Sequence, residues 1–321
     1  MRWGILGAAN FARKSMAPAI HMARGAEFYG LATSSAEKAA PFLDFNPSLK
    51  VYPDYDALLA DPLIEAVYIP LPNHLHVTWA LRALDAGKHV LVEKPLGLRE
   101  SDFDAVIAKR DATGLFAAEA FMPVHHPQFI RARDLVNEGA IGTLRHAEAV
   151  FTYNNESAAE NIRNQPETGG GGIPDIGVYV MGGVRFITGQ EPVTIDHARL
   201  EWENGVDIKA QMTATFPSFT YSGLVSMRLF PRQEITLQGS HGILRLRCPF
   251  NPGIHDLGEL TVETAGGKTV HERFPLDNHY VNQVENFVNT VRSGAAYPAP
   301  LEFSRGTQRM IDMVYAKAGQ G

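Results

Sequence analysis

The chain has 321 residues, of which 45% are hydrophobic and 20% charged, proportions that are ordinary for a water-soluble globular protein. Its 29 Lys and Arg residues against 35 Asp and Glu residues give a net charge of -6 without any block of like charge, which argues against a nucleic-acid or membrane surface. The single cysteine, Cys248, excludes an internal disulfide and fits a reducing compartment, so we expect a cytoplasmic protein. The length exceeds what one core usually fills and predicts two domains.

The first 122 residues alternate short apolar runs with amphipathic segments. Near-continuous apolar runs are typical of parallel strands that are buried on both faces, and the amphipathic segments between them are typical of covering helices. This part of the chain predicts a doubly wound α/β domain of the Rossmann type. Its predicted strands are residues 2–6, 27–33, 66–71, 89–92 and 115–120, and its predicted helices are 12–24, 36–43, 75–86 and 101–112.

Residues 123–321 show a different pattern, in which strand-like runs separated by turn signals predict an α+β domain with a large, mostly antiparallel open sheet. We therefore place the domain boundary between residues 122 and 123, with the last helix able to pack back on the first domain. The predicted strands are 143–153, 193–202, 207–216, 220–229, 234–238 and 242–247, and the predicted helices are 127–138, 174–188, 279–292 and 301–318.

The turn from the first strand into the first helix carries a variant of the dinucleotide-binding motif, with Ala9 and Ala12 in place of its second and third glycines. Small residues are needed here because backbone N–H groups and the helix N-terminus must approach a pyrophosphate. Alanine is common at position 12, whereas Ala9 leaves slightly less room for the phosphates. A generic strand-to-helix turn is the alternative. The cofactor-binding residues predicted in this turn are Gly7, Ala8, Ala9, Asn10, Phe11 and Ala12.

The second predicted strand is followed directly by Ser34 and Ser35, with Lys38 close behind. An enzyme specific for NAD would usually carry Asp or Glu at this strand end to accept hydrogen bonds from the ribose hydroxyls. Two hydroxyls and a lysine suit a 2′-phosphate better, so NADP is favoured over NAD as the cofactor. The alternative is that Ser34 caps the next helix.

Two neighbouring strand ends carry polar residues, and ligands of open α/β sheets bind at such ends. Leu71, Pro72, Asn73 and His76 follow the third strand, and Glu93 and Lys94 follow the next. The Lys94 ammonium, partly desolvated beside a helix end, is suited to acid–base work or to holding a positive charge near a developing alkoxide. The alternative is a structural Lys94–Glu93 ion pair.

A glycine run at residues 169–172 precedes a predicted helix that begins near Pro174. Glycines let the chain pass close to a ligand or to another backbone. Asp175 and Tyr179 lie four residues apart, so they share one face of this helix near its N-terminus. This arrangement is suited to holding a phenolic proton donor over a substrate, although a carboxylate there can also simply stabilise the helix dipole.

These elements, taken in order, resemble the Gfo/Idh/MocA (glucose-fructose oxidoreductase) family, and within it the subgroup that contains dihydrodiol, D-xylose and anhydrofructose dehydrogenases and reductases. The resemblance covers residues 2 to about 190 and the last two helices. The motifs that carry it are Gly7-x-Ala9-x-x-Ala12, Pro72-Asn73-x-x-His76, Glu93-Lys94-Pro95, Glu119-Ala120-Phe121-Met122 with His126-Pro127, Asn161-Ile162-Arg163, and Asp175-Ile176-Gly177-x-Tyr179.

The resemblance implies hydride transfer between nicotinamide and a carbon of a sugar or cyclic polyol. Lys94 is then the essential catalytic residue, Tyr179 the proton donor or acceptor, and Asp175 its orienting partner. It also implies that Leu71 to His76 and Glu93-Lys94 line the nicotinamide side, the cofactor-binding residues among them being Leu71, Pro72, Asn73, His76, Glu93 and Lys94. Ala120, Arg163 and Tyr280 are likewise expected to approach the cofactor, and the open sheet is expected to form a homodimer or a higher homo-oligomer. Pro123 and Val124 stand where an aromatic residue and an arginine are common, so the substrate pocket departs from the family pattern.

Two other functions are weighed against this one. Histidine is a common metal ligand and the chain has twelve of them, but no Cys/His spacing supports a metal site, and none is predicted. A cofactor-binding sensor or scaffold without turnover is the stronger alternative, because fold alone never proves activity. The presence of Lys94, Asp175 and Tyr179 together favours the enzyme.

Overall fold

The computed structural model describes residues 1–319, which form two compact units. The first unit contains Met1–Met122 together with His279–Phe303, and the second contains Pro123–Asn278 together with the chain from Ser304. The segment His279–Phe303 therefore belongs to the first unit, whereas the sequence pattern led us to group it with the residues after 122.

Strands and helices alternate along the first 122 residues. The strands are β1 (Arg2–Leu6), β2 (Glu27–Ala32), β3 (Lys50–Tyr52), β4 (Ala66–Ile69), β5 (His89–Val92) and β6 (Ala117–Glu119). The helices are α1 (Ala17–Met22), which continues a π-helical turn at Ala12–Met16, then α2 (Ala36–Leu43), α3 (Tyr55–Leu59), α4 (His76–Asp85) and α5 (Asp102–Thr113).

The six strands form one parallel sheet in the order β3-β2-β1-β4-β5-β6. This is the strand order of the dinucleotide-binding Rossmann fold. Strands β2 and β3 are added on one side of β1, and β4 to β6 are added on the other, so the order of the strands reverses between β1 and β4. All residues of β4 and most of β1 and β5 are buried, as expected for strands covered on both faces. The predicted doubly wound sheet is confirmed.

The second unit contains one long sheet and the helices on it. Its strands are β7 (Leu144–Asn154), β8 (Thr194–Glu203), β9 (Val206–Thr215), β10 (Thr220–Ser226), β11 (Arg228–Gly239), β12 (Gly242–Leu246), β13 (Gly258–Thr264) and β14 (Lys268–Phe274). Its helices are α6 (Pro127–Asn137) and α7 (Val178–Thr188), the latter preceded by a π-helical turn at Ile173–Gly177. Two helices close the chain, α8 (His279–Ser293) and α9 (Leu301–Ala318).

The eight strands follow the order β14-β13-β12-β11-β7-β10-β9-β8, and only the β7–β10 pair is parallel. The predicted large, mostly antiparallel sheet is confirmed. Helices α6 and α7 pack on one face of it. The other face carries exposed polar side chains, among them Glu148 on β7 and Gln211 and Thr213 on β9.

Helix α8 belongs to the first unit because its apolar face is buried there. The Phe287 ring lies 4.7 Å from the ring of Trp3 on β1, measured between centroids, and Glu285 pairs with Arg24 at 2.9 Å. Only the first residues of α9, Leu301–Phe303, join the same unit, and Leu301 is part of its hydrophobic core.

The hairpin β13–β14 was not predicted. Strand β14 is an edge strand whose side chains are exposed or half-buried on both faces, so its sequence shows no alternation of apolar and polar residues. A turn signal was nevertheless present, because Gly266 and Gly267 both adopt positive φ in the three-residue loop that joins the two strands. Within the described residues, no helix combines the length and apolar character that a membrane crossing needs.

Candidate active site

The turn after β1 requires glycine at its first position. Gly7 has a φ of +95°, which other residues rarely adopt, and its N–H donates to the carbonyl of Ala32 at 2.9 Å. A Cβ added to Gly7 would lie 3.1 Å from the Leu71 side chain and 3.2 Å from the Tyr55 hydroxyl. The chain therefore leaves β1 by a tight turn that lies against the residues following β4.

The rest of this turn fits a dinucleotide. Ala12 is fully buried beneath the helix, which explains the small residue at that position, while Asn10 and Phe11 are exposed. The first N–H groups of a helix have no acceptor within the helix, and here they lie at the carboxyl edge of the sheet. The residues present can thus hold a pyrophosphate, as the sequence predicts for this turn.

The turn after β2 separates the roles of its two serines. The Ser35 hydroxyl accepts a hydrogen bond from the Lys38 N–H at 3.2 Å and caps α2, so the helix cap is Ser35 and not Ser34. Ser34 and the Lys38 side chain are exposed. The groups that remain available to a 2′-phosphate are consequently the Ser34 hydroxyl, the Lys38 ammonium and the start of α2.

Lys94 sits in a turn that several buried groups hold in place. The preceding Glu93 carboxylate accepts from the Tyr68 hydroxyl at 2.5 Å and from the Lys94 backbone N–H at 3.2 Å. The Lys94–Pro95 peptide is cis. On the far side of the turn, Glu119 at the end of β6 accepts from the Leu96 N–H at 2.8 Å. Because β4, β5 and β6 are adjacent and parallel, all of these groups lie at one edge of the sheet.

The sequence indicated Glu119 only as part of a motif, and its role in this turn was missed. It is 2% exposed, and its carboxylate fixes the backbone two residues beyond Lys94. A carboxylate at the end of an otherwise apolar strand was the signal that pointed to it, since a buried charge needs a specific partner.

His76 links the two strand-end turns. It is fully buried, and its ring nitrogens lie 2.7 Å from the carbonyl oxygens of Leu71 and Pro95. Burial lowers the pKa of His76 to about 4, so the ring is neutral near pH 7 and donates to one carbonyl at a time. With this geometry, His76 affects a cofactor by positioning Leu71 and the Lys94–Pro95 turn. A direct contact of His76 with the cofactor stays a prediction.

Two further residues predicted to approach the cofactor lie in the first unit. Ala120 is buried, and its N–H extends the sheet by donating to the Val92 carbonyl at 2.6 Å. Tyr280 at the start of α8 is buried, and its ring meets the Phe11 ring edge-on at 5.7 Å between centroids. Burial raises the pKa of Tyr280, which keeps its hydroxyl protonated. Tyr280 therefore lies beside the dinucleotide turn.

Asp175 is held from two sides within the second unit. Its Oδ1 pairs with Arg163 Nε at 2.8 Å, and its Oδ2 accepts from the Tyr153 hydroxyl at 2.7 Å. Burial, reinforced by the Asp175 charge, raises the pKa of Tyr153, so this phenol remains a donor. The Asp175 charge likewise raises the pKa of Arg163. The structure thus gives Arg163 a carboxylate partner, and its contact with a cofactor stays a prediction.

Tyr153 was missed as a site residue, because at the end of a predicted strand it looked like an ordinary aromatic.

Tyr179, one turn beyond Asp175, is 6% exposed. Its ring packs against Phe151 and Phe250, with centroids 5.5 and 5.6 Å away. The phenol is therefore rigidly held by aromatic neighbours.

The glycine run makes room for a carboxylate of this same chain. Asp207 on β9 is 1% exposed, and its Oδ2 accepts from the Ile173 N–H at 2.7 Å. A Cβ on Gly171 would lie 2.4 Å from Asp207 Oδ1, and one on Gly172 would lie 3.2 Å from Oδ2. Gly171 also has a φ of +135°. Of the two explanations for these glycines, a close approach within the protein is the one observed here.

Burial raises the pKa of Asp207 from an ordinary 3.8 to about 6, against hydrogen bonds from Ile173 and from the hydroxyl of Tyr315 on α9. A carboxyl with a raised folded-state pKa contributes stability below pH 4 that is lost as the pH rises through 6. Asp207→Asn removes this loss. We expect the variant to gain about 3 kcal/mol relative to the wild type between pH 4 and pH 7.5. Urea unfolding at several pH values measures the difference, and parallel stability curves would refute it.

The structure brings together two groups of predicted residues, one in each unit. Gly7, Lys94 and His76 lie at the carboxyl edge of the parallel sheet, and Asp175 and Tyr179 share one helix of the second unit. That Lys94 and Tyr179 act on the same substrate stays a prediction. Within the described residues, no cluster of three or more His, Cys, Asp or Glu side chains is arranged to hold a metal ion.

Comparison with known proteins gives a match along most of the chain. Residues 1–121 match the GFO/IDH/MocA model described as an oxidoreductase family with an NAD-binding Rossmann fold, and residues 129–245 match the GFO/IDH/MocA C-terminal domain. An uncharacterized oxidoreductase of Rhizobium meliloti is 35% identical over 100% of this chain and 98% of its own length. D-xylose 1-dehydrogenase (NADP(+)) 2 of Haloferax volcanii is 32% identical, with the same coverage.

Solved structures agree with these relatives. A 3-ketoreductase from Actinomadura kijaniata, crystallised with NADP and TDP-benzene, superposes with a TM-score of 0.90 at 29% identity, covering 99% of this chain and 97% of that one. Both halves of the chain, the parallel sheet and the mostly antiparallel sheet, are thus accounted for by one family. The chain belongs to the GFO/IDH/MocA family and is an NAD(P)-dependent oxidoreductase.

Proposed function

We propose that this oxidoreductase transfers a hydride between NADP(H) and a carbon of a sugar or cyclic polyol, with Lys94, Tyr179 and Asp175 performing the acid–base work. The observation that carries the proposal is that the Gly7 turn and the Lys94 turn lie at the same carboxyl edge of one parallel sheet. Ligands of open α/β sheets bind at this edge, next to the strand-order reversal between β1 and β4. The substrate class is supported by the D-xylose dehydrogenase and the 3-ketoreductase that the chain resembles.

The chemistry divides between cofactor and protein. Bound nicotinamide supplies or accepts the hydride at its C4 carbon. The Lys94 ammonium stabilises the partial negative charge on the substrate oxygen. Tyr179 Oη takes up or gives the hydroxyl proton, and Asp175, held by Arg163 and Tyr153, orients the phenol. Gly7 to Ala12 hold the pyrophosphate, and Leu71, Pro72, Asn73, Ala120 and Tyr280 surround the nicotinamide end.

A preference for NADP over NAD is expected from the turn after β2. Lys38→Ala removes a positive charge that we assign to the 2′-phosphate, so NADP binding should weaken about tenfold while NAD binding stays within about twofold. Ser34→Ala should act in the same direction with a smaller effect. Calorimetric titration with both cofactors measures these affinities, with Lys268→Ala on the exposed edge strand β14 as the control. Equal weakening for the two cofactors would contradict the assignment.

The function itself is tested by initial rates at the reduced-nicotinamide absorbance band with a panel of aldoses, inositols, dihydrodiols and keto sugars. We expect turnover with at least one of these classes, faster with NADP(H) than with NAD(H). Tight NADP binding without turnover of any substrate would instead indicate a sensor or scaffold.

The assembly and location that we propose follow from the same fold. On the face of the second sheet opposite α6 and α7, the side chains of Glu148, Gln211 and Thr213 are exposed. We propose that this face is the interface of a homodimer or a higher homo-oligomer. A cytoplasmic location is consistent with Cys248, which is buried and free.

A further inference from the structure

We propose that Asp207 is a positioning residue for the reaction: its carboxylate fixes the start of the helix that carries Asp175 and Tyr179, and Tyr315 holds that carboxylate in place. The inference rests on the proposed function, since it concerns residues assigned there to proton transfer. It assigns a role to Asp207, to Tyr315 on the last helix and to the glycine run at residues 169–172, none of which takes part in the proposed chemistry.

The contacts connect three separate parts of the second unit. Asp207 Oδ2 on β9 accepts from the Ile173 N–H at 2.7 Å. Oδ1 accepts from Tyr315 Oη on α9 at 2.8 Å. Both carboxylate oxygens are thereby engaged, and one of them is bonded to the first residue of the helical segment.

This contact replaces an ordinary helix cap. The first N–H groups of a helix lack partners within it, and Gly172, at the cap position, has no side chain to accept from them. The Asp207 carboxylate supplies the missing acceptor from a neighbouring strand, and its negative charge suits the helix N-terminus. The beginning of the helix is therefore attached to the sheet.

The residue that Asp207 contacts, Ile173, is close in sequence to the residues proposed for proton transfer. Asp175 and Tyr179 follow Ile173 within two helical turns, so a shift of the helix start moves both side chains. The run is also tied on its other side, since the Gly171 N–H donates at 3.0 Å to the carbonyl of Arg163. Arg163 is the residue that pairs with Asp175. Movement of the Gly171–Ile173 backbone would thus disturb Asp175 both through its helix and through its ion-pair partner.

The glycines are needed for this arrangement. The Cβ of any other residue at position 171 would lie 2.4 Å from Asp207 Oδ1, a separation that real Cβ atoms do not show. The backbone can approach the carboxylate closely only without side chains, and the positive φ of Gly171 makes the same demand.

The test uses Tyr315→Phe, which removes one hydrogen bond to the carboxylate and keeps the ring. This change is milder than Asp207→Ala, which risks misfolding. We expect kcat to fall about tenfold while KM for NADP stays within twofold, because a small misplacement of reacting groups slows turnover without affecting cofactor binding. The backbone amides of residues 169–179 should exchange hydrogen about tenfold faster, as measured by mass spectrometry of the full-length protein.

Tyr221→Phe is the matched control. Tyr221 on β10 is buried in the same unit, and among the described residues its hydroxyl has no hydrogen-bond partner. The same atom is removed, and neither kcat nor exchange at residues 169–179 should change.

The outcomes separate this inference from the proposed function. Faster exchange together with a fall in kcat at constant KM supports it. Unchanged exchange in Tyr315→Phe overturns it, and faster exchange with an unchanged kcat leaves Asp207 a purely structural residue, which also overturns it. If the wild-type protein turns over no substrate, the proposed function fails, and a positioning role in this reaction fails with it even if exchange shows the contact.

Discussion

Lys94→Ala is expected to reduce kcat by about 10³-fold while the variant still folds and binds NADP. The side chain follows β5 at the sheet edge where the dinucleotide turn lies, and its backbone is fixed by Glu93 and by the Glu119 contact to Leu96. Removing a positive group that faces a developing alkoxide typically reduces kcat about 10²- to 10³-fold. The turn itself does not depend on the Lys94 side chain for the hydrogen bonds just named, so the fold should persist.

Initial rates at saturating substrate and calorimetric NADP binding measure the two parts of this result. Lys109→Ala is a suitable control, because Lys109 lies in the same unit and forms a surface ion pair with Asp85 at 2.6 Å, and such pairs contribute little. A Lys94→Ala protein with a near-normal rate would remove Lys94 from the chemistry. Loss of the cooperative unfolding transition would show instead that Lys94 acts through the fold.

Tyr179→Phe is expected to lower kcat by about 10²-fold, with unchanged KM for the cofactor and unchanged thermal stability. The aromatic contacts of the ring with Phe151 and Phe250 remain, so packing is preserved. Only the hydroxyl is lost, and a positioned general acid or base contributes at least about 10²-fold.

The rate of hydride transfer should be followed over a pH series in Tyr179→Phe, in the wild type and in Tyr221→Phe as the matched control. If Tyr179 moves the proton, the variant's rate should follow the concentration of hydroxide or of an added buffer base, which replaces the phenol. A rate within twofold of the wild type across the series would assign proton transfer to another group, with Lys94 as the first candidate.

Prediction from sequence worked best where a contact is local or a strand is buried on both faces. Strands β1 and β5 have the predicted bounds, because continuous apolar runs between turns have few other ways to be buried. The turn at Gly7 was likewise predictable, since its positive φ is a local requirement that glycine meets most easily. Strand β14 was missed because, at the edge of its sheet, hydrogen bonding to β13 and not burial defines it.

The partners of the site residues were harder to predict. Arg163 was expected to approach a cofactor, and the structure pairs it with Asp175. Ser34 was the serine that we considered as a cap of the next helix, whereas the structure shows that Ser35 caps α2. Asp207 looked like the first residue of an ordinary strand, and nothing near it in the sequence indicates that its carboxylate is buried.

The amino-acid sequence by itself determined the two kinds of sheet, the dinucleotide turn, and which lysine, tyrosine and aspartate stand at strand and helix ends. Those features follow from periodicity and from conformational preferences that act over a few residues. Only the tertiary structure decided that Asp207, the glycine run and Tyr315 meet, that Tyr153 and Arg163 hold Asp175, and that α8 joins the first unit. Such contacts join residues far apart in the chain, and the packing of whole elements selects them.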